Sequence, residues 1–315
     1  MIPTLVIGAG MAGIACARAL AQAGRPVRVL DKGRGIGGRM ATRRAALATG
    51  QPLCFDHGAQ YITPRDPGFA ALIDASRAAA RWEDGAEPAR YVGLPGMSGL
   101  PRALAGGLDI ASGVEVTALR REGPAWRAST RDAVIRAGRV VLTVPAPQVA
   151  PLLGADHPLV ARLSAVAMEP CLTVMAAFPP GTPTPFVNHR PARGPLAFVA
   201  RDNSKPQRPG GAVTWVAQAT PRWSAAHLEQ TREEIAARML PLLCEAVGAD
   251  PARVLHLDAH RWRHARVSAA LGEPFLRDDG GTLYLGGDWC LGPRVEAAWQ
   301  SGTAIAARIL ADGDA

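Results

Sequence analysis

The stretch Leu5-Val6-Ile7-Gly8-Ala9-Gly10-Met11-Ala12-Gly13 decides the fold. An apolar run enters three glycines, and a helical pattern follows, with Ile14, Ala15, Ala19 and Leu20 at helical spacing and Gly24 where the helix should stop. Gly8 permits the tight turn, Gly10 lets backbone approach a pyrophosphate, and Gly13 lets the helix pack on the strand. The helix N-terminus, with Ala9, Met11 and Ala12 beside it, offers free N–H groups to phosphates. A second strand, Val27-Arg28-Val29-Leu30, ends in Asp31. An acid at that spacing is expected to bind the adenosine ribose hydroxyls and argues against a 2′-phosphate there.

A second strand–glycine–helix unit stands at the other end of the chain. Leu283-Tyr284-Leu285 runs into Gly286-Gly287-Asp288, and an Ala-rich helix follows. The two units together point to FAD held by both chain ends. Lys32-Gly33-Arg34-Gly35-Ile36-Gly37-Gly38-Arg39-Met40 is richer in glycine than an ordinary NAD domain requires. Its glycines would bring backbone close to a large ligand, and Arg39 could pair with phosphates. Phe55-Asp56-His57-Gly58-Ala59-Gln60-Tyr61 reads as a short strand and turn suited to lie against a planar ring.

These motifs resemble the FAD-dependent amine oxidase superfamily. The resemblance implies that the His57–Gln60 segment lies near the isoalloxazine and that Val116 gives a backbone contact to adenine. It further implies that Asp288 accepts from ribityl hydroxyls while the start of the last helix, Arg294, Val295, Glu296 and Ala298, faces the flavin. Three further segments are similar to the bacterial renalase branch: Asp56 to Tyr61, Phe198 to Pro206 followed by Trp215, and His260-Arg261-Trp262-Arg263-His264-Ala265. That branch implies non-covalent FAD and oxidation of 2- or 6-dihydro isomers of NAD(P), with oxygen reduced to hydrogen peroxide. A dihydropyridine is already a hydride donor and needs placement against the flavin rather than a strong base. Candidate lining residues are therefore aromatic or polar: Gln60, Tyr61, His189, Asn203, Trp215, His260, Trp262 and Trp289.

Other readings stay open. A classical amine oxidase, or a polyene oxidase or desaturase, needs an amine cage or a greasy tunnel. It also commonly has a lysine near the flavin. Here Lys32 lies in the nucleotide motif and Lys205 in a Pro-flanked turn, and they are the only lysines. Cys290 is near the flavin motif but lacks the Cys-Tyr setting of covalent attachment. A non-catalytic flavin-binding regulatory protein and a plain NAD(P) dehydrogenase complete the set.

Composition narrows the class. The 315-residue chain carries a net charge of +8, nearly all of it as dispersed arginine without aromatic interleaving, which suits an anionic substrate better than nucleic acid. No apolar window reaches the roughly 18 residues of a membrane span. The five cysteines show no metal or CxxC spacing and fit a reducing cytoplasm, and the chain enters its first strand without room for a leader. No metal cluster is expected, and the oligomeric state is not legible.

The predicted architecture is α/β (α+β overall). A Rossmann-type βαβ FAD lobe would comprise 1–66, 95–150 and 266–315. An inserted substrate lobe, 67–94 and 151–265, would carry a mostly antiparallel sheet with helices. Within it the pattern predicts a helix from Pro67 to Trp82, strands over Cys171–Phe178, Leu196–Ala200, Ala212–Ala217 and Val254–Trp262, and a helix over Leu228–Val247 kinked or broken at Pro241.

Overall fold

The structure, a computed structural model, describes residues 1–313. Its larger sheet has the order Leu276–Arg277, Leu283–Leu285, Val134–Leu142, Ile2–Ile7, Val27–Asp31, Asp109–Ser112. The four pairings from Leu283–Leu285 across to Asp109–Ser112 are parallel, so strands from both chain ends lie side by side. The hairpin Val116–Glu122 and Ala125–Thr130 attaches to Val134–Leu142. Parallel strands covered on both faces read as continuous apolar runs, which is why Leu5-Val6-Ile7 and Leu283-Tyr284-Leu285 are recognisable as strands.

Two helices close over this sheet, Met11–Gln22 and Val295–Asp312. Their contact is backbone to backbone. A Cβ built on Gly302 would overlap the carbonyl group of Ala12, and one built on Gly13 would overlap the carbonyl of Gly8. Gly8 itself sits at φ +111°, where other residues are strained.

The second sheet is antiparallel throughout, in the order Asn188–His189, Leu196–Arg201, Val213–Ala219, Ala167–Phe178, His256–Ala269. Helix Arg232–Val247 covers one face, burying Ile235, Met239, Leu243 and Val247 against Leu172, Val174, Trp215 and Ala259. Thr231 and Glu234 form a capping box at its start. Pro241 does not break it. Pro241 and Ala237, the residue whose carbonyl loses its N–H partner, are both exposed, so water can satisfy that carbonyl while the buried face stays continuous.

Several boundaries differ from the sequence reading: the strand expected over Val254–Trp262 runs from His256 to Ala269, the strand expected from Cys171 starts at Ala167, and the helix expected from Leu228 starts at Arg232. The helix beginning at Pro67 ends at Ser76, because Arg77 adopts φ +52°, and the chain then forms the hairpin Ala79–Trp82 with Arg90–Gly93. Residues 151–165 do not join the second sheet. Leu152, Leu153, Leu159 and Leu163 pack with Leu5, Leu142 and Leu283 in the nucleotide-sheet core. Between the sheets, Phe69, Ile73, Trp82 and Val92 bury against Met11, Ile14 and Leu100 on one side and Phe198 and Ala200 on the other. No helix among the described residues is long and apolar enough to cross a membrane.

Candidate flavin and substrate cleft

A cleft of about 1380 Å³ opens between the two sheets. From the nucleotide side it is lined by Gly8, Gly10, Met11, Ala12, Asp31 to Met40, Val116, Gly287, Asp288, Arg294, Val295, Glu296 and Ala298. Both long helices begin at its wall, and neither N-terminus is capped by a side chain. Their first N–H groups and positive dipole ends remain available to phosphate and to an electron-rich ring edge.

Gly10 tests the fit of a dinucleotide cofactor. Its φ of −77° is one any residue adopts, and a Cβ built there meets nothing within 4 Å. The protein's own packing does not demand glycine at this position. The bare backbone leaves room for a group lying against the helix start, as a pyrophosphate would. Gly13 has the opposite reason: it faces away from the cleft, against Gly8.

Several carboxylates expected to meet the cofactor also hold the protein together. Asp31 accepts from the N–H groups of Ala9 and Gly33, at 2.6 Å each. Arg39 donates to both oxygens of Asp288, at 2.7 and 2.6 Å, and to the Ala265 carbonyl at 3.2 Å. This bidentate pair straps the N-terminal segment to the C-terminal one across the cleft floor. Glu296 accepts from the N–H groups of Arg65 and Asp66, at 2.6 Å each, and pairs with Arg294.

The segment His57–Tyr61 lies where the sheets meet, and His57, Gly58, Ala59, Gln60 and Tyr61 all line the cleft. Trp262 stacks on His57 at 5.3 Å and donates its Nε1–H to the His57 carbonyl at 2.8 Å. His260 meets both rings edge-on. Burial holds the His57 imidazole down at about 3, with His260 and Arg43 adding to the effect. Burial, with Arg43 and Arg232 adding to it, holds His260 at about 4. Burial therefore favours the neutral form of both rings at ordinary pH, so neither supplies an imidazolium there.

This has a stability consequence. The unfolded His57 titrates near its ordinary 6.5, so below that pH the unfolded chain binds a proton that the folded chain refuses. The stability gained from a neutral His57 is complete above pH 6.5 and is lost as the pH falls toward 3. Acidification to about pH 4 should cost about 3 kcal/mol from this group alone. Urea midpoints measured across that range should fall, and the fall should flatten in His57→Gln. An equal slope in the variant would contradict the assignment.

The second sheet contributes Cys171, Arg190, Phe198, Gln218, His260, Arg261, Trp262, Arg263, His264 and Arg266. Tyr61 and Phe198 meet edge-on at 6.0 Å. The Arg90 guanidinium lies over the Tyr61 ring at 4.3 Å and that of Arg190 over the Phe198 ring at 4.7 Å, and Arg190 donates to the Tyr61 hydroxyl at 2.7 Å. Among the described residues lining the cleft, the acids are Asp31, Glu115, Asp288 and Glu296, all on the nucleotide side.

Four residues expected at the cleft are elsewhere. Trp215 is fully buried against Phe186 under the covering helix. Side chains alternate along a strand, so with Gln218 facing the cleft, Trp215 faces away. Trp289 is fully buried, and its Nε1–H donates to the Val144 carbonyl. The short turn after Gly287 points it into the nucleotide-sheet core. Asn203 closes a loop, donating to the Ala212 carbonyl and accepting from the Thr214 N–H. His189 is exposed and rests against Phe186. Of the nucleotide-motif residues, Ala9 and Gly13 lie behind the wall. Conversely, Arg43, Arg190 and Gln218 line the cleft without having been anticipated. A lone polar residue in an apolar strand, such as Gln218, is the one signal that could have found any of them.

The family model for flavin containing amine oxidoreductases matches residues 74–310. The chain belongs to that family. An NAD(P)-binding Rossmann-like domain matches residues 6–75, completing the nucleotide half of this amine oxidoreductase. Solved structures agree in fold over the full length. A protein assigned as a protoporphyrinogen oxidase from Exiguobacterium sp. 255-15 superposes with a TM-score of 0.78 at 14% identity, covering 99% of both chains. Putrescine oxidase bound to putrescine gives 0.75 at 15%, covering 98% of this chain and 99% of that one. Cyclohexylamine oxidase from Brevibacterium oxydans IH-35A gives 0.70 at 15%, covering 99% of both. At such identities the likeness shows the fold alone. Membership in the family makes this chain a flavin-dependent oxidoreductase by class.

Proposed function

We propose that this amine oxidoreductase is a renalase-like oxidase. It would take a hydride from a dihydronicotinamide dinucleotide reduced at ring position 2 or 6, and with one proton reduce oxygen to hydrogen peroxide, releasing NAD(P)+. The flavin, when bound, supplies the hydride-accepting ring. FAD is the flavin that suits a cleft with the Gly8–Gly13 turn at one end and Gln60 at the other, and it would be held without a covalent bond. Among the described residues, the one cysteine lining the cleft, Cys171, has its thiol pushed up to about 11 by burial, and Cys290 is fully buried and held at about 12 by the same cause. Neither is a ready nucleophile.

The observation that carries the substrate reading is the charge on the second-sheet wall. Among the described residues lining the cleft, that wall is basic and carries no acid, with Arg263 and the adjoining Arg43 paired to Glu229 and Asp258 outside the lining, and the faces of Phe198 and of the adjoining Tyr61 are each already covered by a guanidinium. A protonated amine would meet arginine where a cage should stand. A flat ring linked to a pyrophosphate would meet aromatic edges and cations. Tyr61, Phe198 and Trp262 would confine such a ring, and Arg43, Arg190 and Arg261 would draw the anion. His57 and His260, whose burial makes them weak bases, fit a reaction needing placement rather than strong base catalysis.

The test is anaerobic mixing of the purified holoprotein with separated 2-, 4- and 6-dihydro NAD, and with putrescine, following the oxidised flavin absorbance. Rapid bleaching by the 2- or 6-isomer, with little by the 4-isomer or putrescine, is expected. Bleaching by putrescine alone would transfer the reading to amine oxidation, and bleaching by none would remove both.

A further inference from the structure

Behind the cleft wall lies a closed set of four charges. Lys205 Nζ donates to Asp202 at 2.8 Å, to Asp56 at 3.1 Å and to Gln60 Oε1 at 3.2 Å. Arg208 donates to Asp56 at 2.6 Å and lies 3.6 Å from Asp202. The side chains of Lys205, Asp56 and Asp202 are 0% exposed and that of Arg208 1%. Two acids and two bases cancel, so the group adds no net charge beside the cleft. The three N–H donors of the ammonium meet three acceptors. Of those three, only Gln60 lines the cleft.

Gln60 is engaged at both ends of its amide, since its Nε2 donates to the carbonyls of Asp56 and Gly58. These bonds matter because the segment 57–61 has little ladder of its own. Its backbone–backbone bond is Ala59 N–H to the Arg39 carbonyl. Its carbonyls are held by side chains, Trp262 on His57, Gln218 and Gln60 on Gly58, while Arg90 and Arg190 hold the Tyr61 side chain. A glutamine amide can turn end for end unless its partners distinguish oxygen from nitrogen. Here the two carbonyls, which only accept, hold the nitrogen, and the ammonium, which only donates, holds the oxygen.

We infer that Lys205 is a positioning residue. Through Gln60 it sets the shape of the His57–Tyr61 wall of the cleft, without touching a ligand. This goes beyond the substrate reading and holds for any substrate; it rests only on the flavin of the family.

A double-mutant cycle tests it. Lys205→Met combined with Asp202→Asn removes one base and one acid together and leaves the Asp56–Arg208 pair intact. Gln60→Met breaks the relay with every charge in place. Each protein, and the triple variant, is stripped of flavin and titrated with FAD, and the visible circular dichroism of the bound flavin is recorded. Each of the first two should bind FAD about tenfold more weakly with an altered flavin spectrum, and the triple variant should be no worse than either, as for residues acting in one chain of contacts. Additive losses would overturn the inference. So would wild-type flavin dichroism in the charge-balanced variant with only its unfolding midpoint lowered. Should that variant fail to fold, Gln60→Met decides alone: unchanged flavin dichroism there overturns the relay.

Discussion

Replacing Arg208 by methionine is expected to cost about 3–5 kcal/mol of folding stability, the range found when one partner of a buried ion pair is removed. The side chain is almost fully enclosed and donates to Asp56 and to the carbonyls of Gly93, Pro95 and Pro206. Without it, Asp56 and Asp202 share only Lys205. Burial alone would raise Asp56, but Lys205 and Arg208 together hold it at about 2. Burial, with the neighbouring charge of Asp56 adding to it, raises Asp202. Loss of the guanidinium therefore leaves the two carboxylates facing each other in a dry site, and one of them must take up a proton. Urea unfolding at neutral pH measures the cost, and the deficit should shrink as the pH is lowered and that proton is supplied. A variant within about 1 kcal/mol of the parent would mean that the network contributes little, as some buried ion groups do.

Gly302→Val should also act strongly, through geometry rather than charge. Alanine in place of glycine inside a helix ordinarily gains up to about 1 kcal/mol. Here a Cβ would come within 2.8 Å of the Ala12 carbonyl carbon and closer still to its oxygen. The neighbour is backbone, which cannot turn aside. The two helices must separate, and overpacking of this kind costs about 1–3 kcal/mol or more. Ala12 stands in the first turn of Met11–Gln22, so separation also displaces the uncapped helix start at the cleft. The variant is expected to purify largely without flavin, with its thermal midpoint lowered. A yellow protein of parental midpoint would show slack between the helices.

The nucleotide half was legible because its requirements are local. A tight turn, a bare backbone at a helix start and an acid after the second strand fall within a short stretch of chain, each needed for a local reason: sterics at Gly8 and Gly13, room for a ligand at Gly10, and hydrogen bonding at Asp31. The helix through Pro241 and the helix end at Arg77 were less legible. Whether a proline interrupts depends on which face is buried, and a left-handed terminator at arginine has no marker in the residue type.

The flavin family, the meeting of the two chain ends on one sheet, and the placement of Gly8, Gly10, Gly13 and Asp31 are all written in short stretches of chain. Which side chains face the cleft, by contrast, depends on the packed fold. Strand parity turns Trp215 away and Gln218 in, one short turn buries Trp289, and guanidiniums arriving from Arg90 and Arg190 occupy the aromatic faces. Lys205 and Asp56 lie 149 positions apart and meet only because two sheets converge. Such contacts follow from packing between distant segments, and no spacing along the chain encodes them.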